Sequence, residues 1–194
     1  MRRLWLFTAL GLALIIWFVL VKPVEAPDTA SNNAVALQQF EDQTHAIKIS
    51  YPKSAVVSEL TDKDKSDRFI LIANATGDKP YKIYLKYEDG LRAATALTKL
   101  SVLDFMLENL NKSYPRQFPA YSKLSEHRLQ LNGKEAAEVI FTYSASTGEV
   151  VKQQIVLVTK DNNKAFYLSM QAKETDFEAL KETFQRVKQS VNVE

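Results

Sequence analysis

Cysteine is absent from all 194 residues. That excludes disulfides, thiolate metal ligation, a cysteine nucleophile and lipid attachment through cysteine. The fold must therefore rest on packing, which a chain of this size can supply. Glycine numbers five, with none in a G-x-G-x-x-G or P-loop pattern, so phosphate-cradling loops are missing. No G-x-S-x-G elbow occurs either. Histidine occurs twice, as His45 and His127, outside any H-x-x-x-H spacing. His127, at the start of a strand, reads as structural or solvent-facing rather than as a catalytic base. The best metal candidate is "TDKDKSD", where Asp62, Asp64 and Asp67 alternate along a loop. Lys63, Lys65 and Arg68 interleave with them, and the turn glycine and terminal glutamate of a calcium loop are missing, so it reads as a solvated mixed-charge segment. No catalytic residue, metal or cofactor is expected.

Charge of one sign is also scarce. The formal net charge is +2, but setting aside Arg2, Arg3 and Lys22 leaves one fewer basic residue than acidic. No basic footprint for nucleic acid remains. Those three residues flank the longest apolar run, Leu4 to Val21, 18 residues with Thr8 the one polar side chain. As a helix it reaches roughly 27 Å, close to the ~30 Å hydrocarbon core of a bilayer. Val24 and Ala26 have the spacing of a signal-peptidase site, but Pro27 follows, so the scissile bond would be a tertiary amide. The run is therefore expected to be a retained anchor over residues 1–22, with an uncleaved signal as the other form. Its basic amino end should stay cytoplasmic and everything beyond Lys22 should lie outside. Together these place the chain as a single-pass protein of the bacterial inner (cytoplasmic) membrane with an extracytoplasmic domain.

Residues 23–44 show no sustained period and read as a flexible tether, with Val35, Leu37 and Phe40 free to dock locally. The domain is expected to occupy 45–194. Strands are read in "AIKISYP", "RFILIANA" and "YKIYLKYE", and then in a meander of 126–131, 136–144, 150–159 and 165–172. Its turns are Asn132-Gly133, Ser146-Thr147-Gly148 and Asp161-Asn162-Asn163. Apolar residues from Ala96 to Tyr114 recur at spacings of three and four, which predicts one helix over 95–114, stopped by Pro115. A last helix is predicted from Thr175, capped by a Thr175/Glu178 capping box, with Glu182 and Arg186 paired on its wet side. These elements imply the α+β class, an antiparallel β-sheet flanked by helices.

The order "IKISYP", long helix, "LQLNGKEAAEVIFTYSASTGEVVKQQIVLVTKDNNKAFYLSMQA" and a closing helix ending "VKQSVNV" resembles the PsbP-like superfamily, most of all the envelope proteins called DcrB. Asn132-Gly133 and Ser190-Val191 match its hairpin and its helix close. The resemblance covers about residues 45–194. It implies a central antiparallel sheet with helices on both faces, acting as an accessory or binding module without known catalysis. DcrB-type proteins are lipid-anchored through cysteine, so this chain departs from them and would use Leu4 to Val21 instead. No site residues carry over.

A noncatalytic, membrane-anchored envelope accessory protein that binds a protein or membrane-surface partner is the function these readings favour. The alternatives are a small-ligand or lipid-binding module, marked by a large apolar pocket beneath the long helix, and a cryptic hydrolase, marked by a convergent nucleophile and base. For a partner surface the candidate residues are Lys82, Tyr84 and Lys86. The two-residue period of "KPYKIYLKYE" sets them opposite Tyr81, Ile83, Leu85 and Tyr87. An aromatic flanked by two lysines suits an anionic headgroup or an acidic protein surface. The competing reading makes the lysines guards of a sheet edge, with Tyr84 packed under a helix.

Overall fold

Strand residues point alternately to opposite faces, and in this chain each of the two sets meets a different layer. A computed structural model describes residues 35–194. The expected anchor and the first part of the expected tether lie outside these residues. Among those described, no helix is long and apolar enough to cross a membrane.

The elements run β1 (Leu37–Asp42), β2 (Ile47–Pro52), β3 (Val56–Val57), α1 (Asp62–Ser66), β4 (Phe69–Ala75), β5 (Tyr81–Glu88), α2 (Leu91–Thr98), α3 (Val102–Gln117), β6 (Ser122–Leu131), β7 (Lys134–Ser144), β8 (Val150–Thr159), β9 (Ala165–Lys173), α4 (Glu174–Gln189) and β10 (Asn192–Val193). Seven strands form an antiparallel sheet in the order β3-β4-β5-β9-β8-β7-β6, and a smaller sheet has the order β1-β2-β10. The α+β class expected from the sequence is therefore the architecture found.

On one face of the large sheet, Ile83 and Leu85 of β5, Val156 and Val158 of β8, and Phe166, Leu168 and Met170 of β9 pack against Phe177, Phe184 and Val187 of α4 and Ile47 and Ile49 of β2. On the other face, Ala137, Val139 and Phe141 of β7 and Ile155 and Leu157 of β8 pack against Leu103, Met106, Leu107 and Leu110 of α3. The hairpin joining β6 to β7 turns on Asn132 (φ 47°) and Gly133 (φ 79°). Positive φ at both central residues is what a two-residue type I′ turn needs.

Several local expectations are corrected. Residues 37–42, read as tether, form β1, paired along its whole length with β2 from Leu37↔Pro52 to Asp42↔Ile47, with Phe40 packed against the core. The single helix over 95–114 is two helices. Lys99 takes a left-handed φ of 59°, and the Ser101 hydroxyl accepts the Asp104 N–H to start α3 afresh. Pro115 does not stop α3. It falls in the last turn, where one lost bond is tolerable, and the Phe118 N–H still reaches the Tyr114 carbonyl at 2.9 Å. The capping box at Thr175 does not form, because α4 begins at Glu174 and puts Thr175 inside its first turn. Such a box does form at α1, where Thr61 and Asp64 cap each other. There the Asp64 carboxylate accepts from both the N–H and the hydroxyl of Thr61, so it is occupied as a cap. The Arg186 guanidinium donates to the Val35 carbonyl at 2.8 Å rather than pairing with Glu182.

One ion pair joins α4 to the sheet in a nearly dry setting. Lys188 meets the Glu138 carboxylate at 2.8 Å, with both side chains 12% exposed, and the Gln154 amide donates to the same carboxylate oxygen. Removing one partner of such a pair strands the other charge. Lys188→Ala is expected to lower the unfolding free energy by about 3 kcal/mol. Lys188→Ala combined with Glu138→Ala should cost less than the two single changes together, as read by chemical unfolding in a double-mutant cycle.

A polar cleft beneath α3

β5 lies between β4 and β9, so its residues belong to the sheet interior and the edge-guard reading of its lysines does not apply. Its burial alternates as the two-residue period requires: Tyr81, Ile83 and Leu85 are buried toward α4, and Lys82, Tyr84 and Lys86 point the other way. That second face is where α3 should cover the sheet. The helix packs over β7 and β8, however, and beside it a cleft of about 490 Å³ remains.

Tyr84 and Lys86 line this cleft and Lys82 does not. The three residues read as one surface therefore divide: Lys82 is exposed beyond the cleft, and the other two are half-buried in its wall. Phe69 joins them through a bulge in β4, where the register shifts between Phe69 and Leu71. The extra residue sends Phe69 to the cleft face while Leu71, Ala73 and Ala75 keep to the core, a re-aiming that bulges commonly perform. Its ring lies 5.8 Å from that of Tyr84. From α3 and the residue after it come Leu110, Ser113, Tyr114, Gln117 and Phe118. Tyr114 and Phe118 stack edge-on at 5.1 Å, and Phe118 lies 4.6 Å from Tyr143 of β7.

The floor is polar. Gln153 of β8 and Gln171 of β9 are register partners, and Ser169 stands opposite Tyr84. The Gln153 amide donates to the Ser169 hydroxyl, Tyr143 donates to the Gln171 carbonyl at 3.2 Å, and the Gln171 amide reaches the Tyr84 hydroxyl at 3.4 Å. Sequence reasoning missed these three residues. The available signal was glutamine and serine inside two long apolar strands, consecutive in "KQQIVLV" and at alternate positions in "YLSMQA".

Among the described residues Lys86 is the one charged side chain in the lining. Its ammonium sits 5.7 Å from the centre of the Tyr167 ring, a cation–π distance. The phenols around it are held neutral. Burial, with a smaller effect from Tyr143, pushes Tyr84 up to about 12, and burial with Tyr121 nearby does the same for Tyr114, also to about 12. Burial raises Tyr143 and Tyr167 as well. At neutral pH the wall thus offers hydroxyl donors, amides, aromatic faces and one cation.

Neither histidine reaches this place. His127 is exposed on β6. The His45 ring lies 4.1 Å from that of Tyr87, and its backbone N–H donates to Asp42 at 2.8 Å. Among the described residues no group of three or more histidine, aspartate or glutamate side chains is placed to hold a metal ion.

No family model and no curated protein matches the sequence. Solved structures do match the fold. Cyanobacterial PsbP (CyanoP) from Synechocystis sp. PCC 6803 superposes with a TM-score of 0.57 over 89% of this chain and 100% of that one, at 11% identity. The fold is PsbP-like. LpqN of Mycobacterium tuberculosis, described as involved in cell envelope biogenesis, matches at a TM-score of 0.54 and 14% identity, over 84% of this chain and 92% of its own. The Ran-binding protein Mog1p of Saccharomyces cerevisiae matches at 0.53 and 12%, over 82% and 96%. At such identities the likeness is one of fold.

The cleft phenols give a pH prediction. Their protons are held more tightly in the fold than at the ordinary value of 10.0, so their contribution to stability is complete below about pH 10 and is lost as pH rises through 12. Unfolding free energy should fall over that window. Ultraviolet titration of phenolate should show the cleft tyrosines ionising above the ordinary value, as the fold opens. A single transition near the ordinary value would contradict the burial described.

Proposed function

We propose that this chain is a noncatalytic binding protein of the bacterial cell envelope, held in the inner membrane by residues 4–21 with the domain outside, and that it takes a small ligand in the cleft beneath α3. The observation that carries this is the cleft. It is an aromatic-walled concavity of about 490 Å³ with a few converging polar groups, within the size range of small-molecule sites. Its serines, Ser113 and Ser169, have no histidine or carboxylate beside them in the lining, which favours binding over hydrolysis. The anchor rests on the length of the apolar run, and the envelope setting draws support from the description of LpqN.

A second reading, docking of a protein or membrane surface, keeps one specific observation. Lys82 is exposed next to the cleft, and the fold also serves in Mog1p, described as Ran-binding. The flat surface imagined for Lys82, Tyr84 and Lys86 is replaced by a concavity, which suits a small ligand better than a broad partner.

Ser113→Trp on α3 should fill the cleft from the helix side with little effect on the sheet. In a small-fragment screen read by nuclear magnetic resonance, the wild-type chain is expected to give hits that shift resonances of Tyr84 and Gln153, and Ser113→Trp should abolish them. The same hits in both proteins would remove the cleft from the reading. For the anchor, the protein should stay with membranes through alkaline washing and its domain should be cut by protease added to spheroplasts. A soluble form starting near Pro27 would overturn it.

A further inference from the structure

The chemistry of the cleft goes further than its shape, on the reading that it binds a small ligand. Tyr84 accepts from Gln171, and Ser169 accepts from Gln153. Each hydroxyl accepts one hydrogen bond and keeps its own proton to give. Lys86 adds an ammonium. The nearest acids along its strand are already engaged, since Glu88 and Asp89 both pair with Arg68, the latter at 3.2 Å. Among the described residues no ion pair of Lys86 is found. One end of the cleft is therefore a cluster of donors with one uncompensated positive charge, an arrangement that favours an anionic acceptor.

A second observation lies at the floor. Gln153 is 7% exposed, lines the cleft, and its side-chain carbonyl has no hydrogen-bond partner. A buried acceptor without a donor is unusual in a folded protein, and a donor brought by a ligand satisfies it. Beside both, the walls are aromatic faces, Tyr114, Phe118 and Tyr143, which suit a flat or puckered ring.

We propose that the cleft binds a small hydroxylated ring carboxylate, its carboxylate held by Lys86 with the Tyr84 and Ser169 hydroxyls, its ring against Tyr114, Phe118 and Tyr143, and a ring hydroxyl donating to Gln153. Two sources share this chemistry, an acidic sugar and a hydroxylated aromatic acid. Lys86 selects for the charge, and Gln153 selects for the hydroxyl.

The test is calorimetric titration of the full chain in nanodiscs with five probes: glucuronate, 4-hydroxybenzoate, their neutral counterparts glucose and phenol, and benzoate, which lacks the ring hydroxyl. One acid is expected to bind at least about tenfold more tightly than its neutral counterpart, and which acid it is identifies the source. Lys86→Met should weaken that acid by about tenfold or more, with Lys86→Arg restoring part of the loss. Lys82→Met, outside the cleft, should leave affinity unchanged, and thermal melting confirms that each variant is folded. Gln153→Leu should weaken 4-hydroxybenzoate but not benzoate, or glucuronate more than its carboxylate alone explains. Equal affinity for acids and neutral counterparts, or full affinity in folded Lys86→Met, overturns the proposal, and so does failure of both acids to bind. If neutral probes bind and Ser113→Trp abolishes them, the cleft remains a ligand site and only the acid specificity falls.

Discussion

A seven-stranded sheet has two faces, and both must be covered or made tolerable to water. At about 4.8 Å between strands the sheet is roughly 29 Å wide, while a helix with its side chains is about 10 Å across. One helix cannot cover such a face. On the α4 side the problem is solved jointly, with α4 and the smaller sheet supplying a continuous apolar lid of Phe177, Phe184, Val187, Ile47 and Ile49. On the other side α3 covers much of β7 and β8 and Leu91 of α2 joins it beside Ala165 of β9, but among the described residues a strip from Phe69 of β4 through Tyr84, Ser169 and Gln153 to Tyr143 of β7 stays open. The cleft is the remainder of that geometry.

The composition of the uncovered strip follows from the same constraint. An apolar strip open to water would be an exposed patch of the kind that folded monomers avoid, yet the strip is also crossed by sheet interior that admits little solvent. Tyrosine suits both conditions, because its ring packs against the neighbouring strand while its hydroxyl finds a partner. Tyr84, Tyr143 and Tyr167 stand on this strip, and glutamine and serine fill the positions between them. The polar groups satisfy one another in pairs, Gln171 with Tyr84 and Tyr143, Gln153 with Ser169. What the pairing leaves over includes the Lys86 ammonium, the protons of Tyr84 and Ser169 and the Gln153 amide carbonyl, and these are what a ligand would read.

Much of the architecture was legible because strand alternation and turn chemistry are local. "YKIYLKYE" declares its two faces by period alone, and Asn132-Gly133 admits the left-handed pair that a tight hairpin needs. What was not legible depended on partners distant in the chain. β1 looked like tether because in "LQQFED" the only apolar residues, Leu37 and Phe40, are three apart and show no strand alternation; it becomes a strand only when β2 offers its edge. The break between α2 and α3 was hidden because Leu100 continues the apolar spacing across it, whereas a cap at Ser101 is decided by backbone geometry rather than by period. Thr175 and Glu178 have the spacing of a capping box but sit one turn position too late, since Glu174 is already helical.

The site was half legible for the same reason. Period two sets Tyr84 and Lys86 on one face, and this requires no knowledge of the fold. That Ser169 lies opposite Tyr84, and Gln153 opposite Gln171, depends on the register of three strands drawn from both ends of the domain. Nor does local sequence say that Phe69 turns toward the cleft, since the bulge after it reverses the alternation that "RFILIANA" displays. The structure thus changes the meaning of the lysine–tyrosine–lysine pattern. In an isolated strand it describes a surface with two equal cations. In this sheet Lys82 stays outside while Lys86, half-buried beside the Tyr167 ring, lines a half-open cleft with no carboxylate among its described residues. A cation in such a space is less screened by solvent than one on an open surface, so the same residue type two positions apart has a different capacity to select an anion.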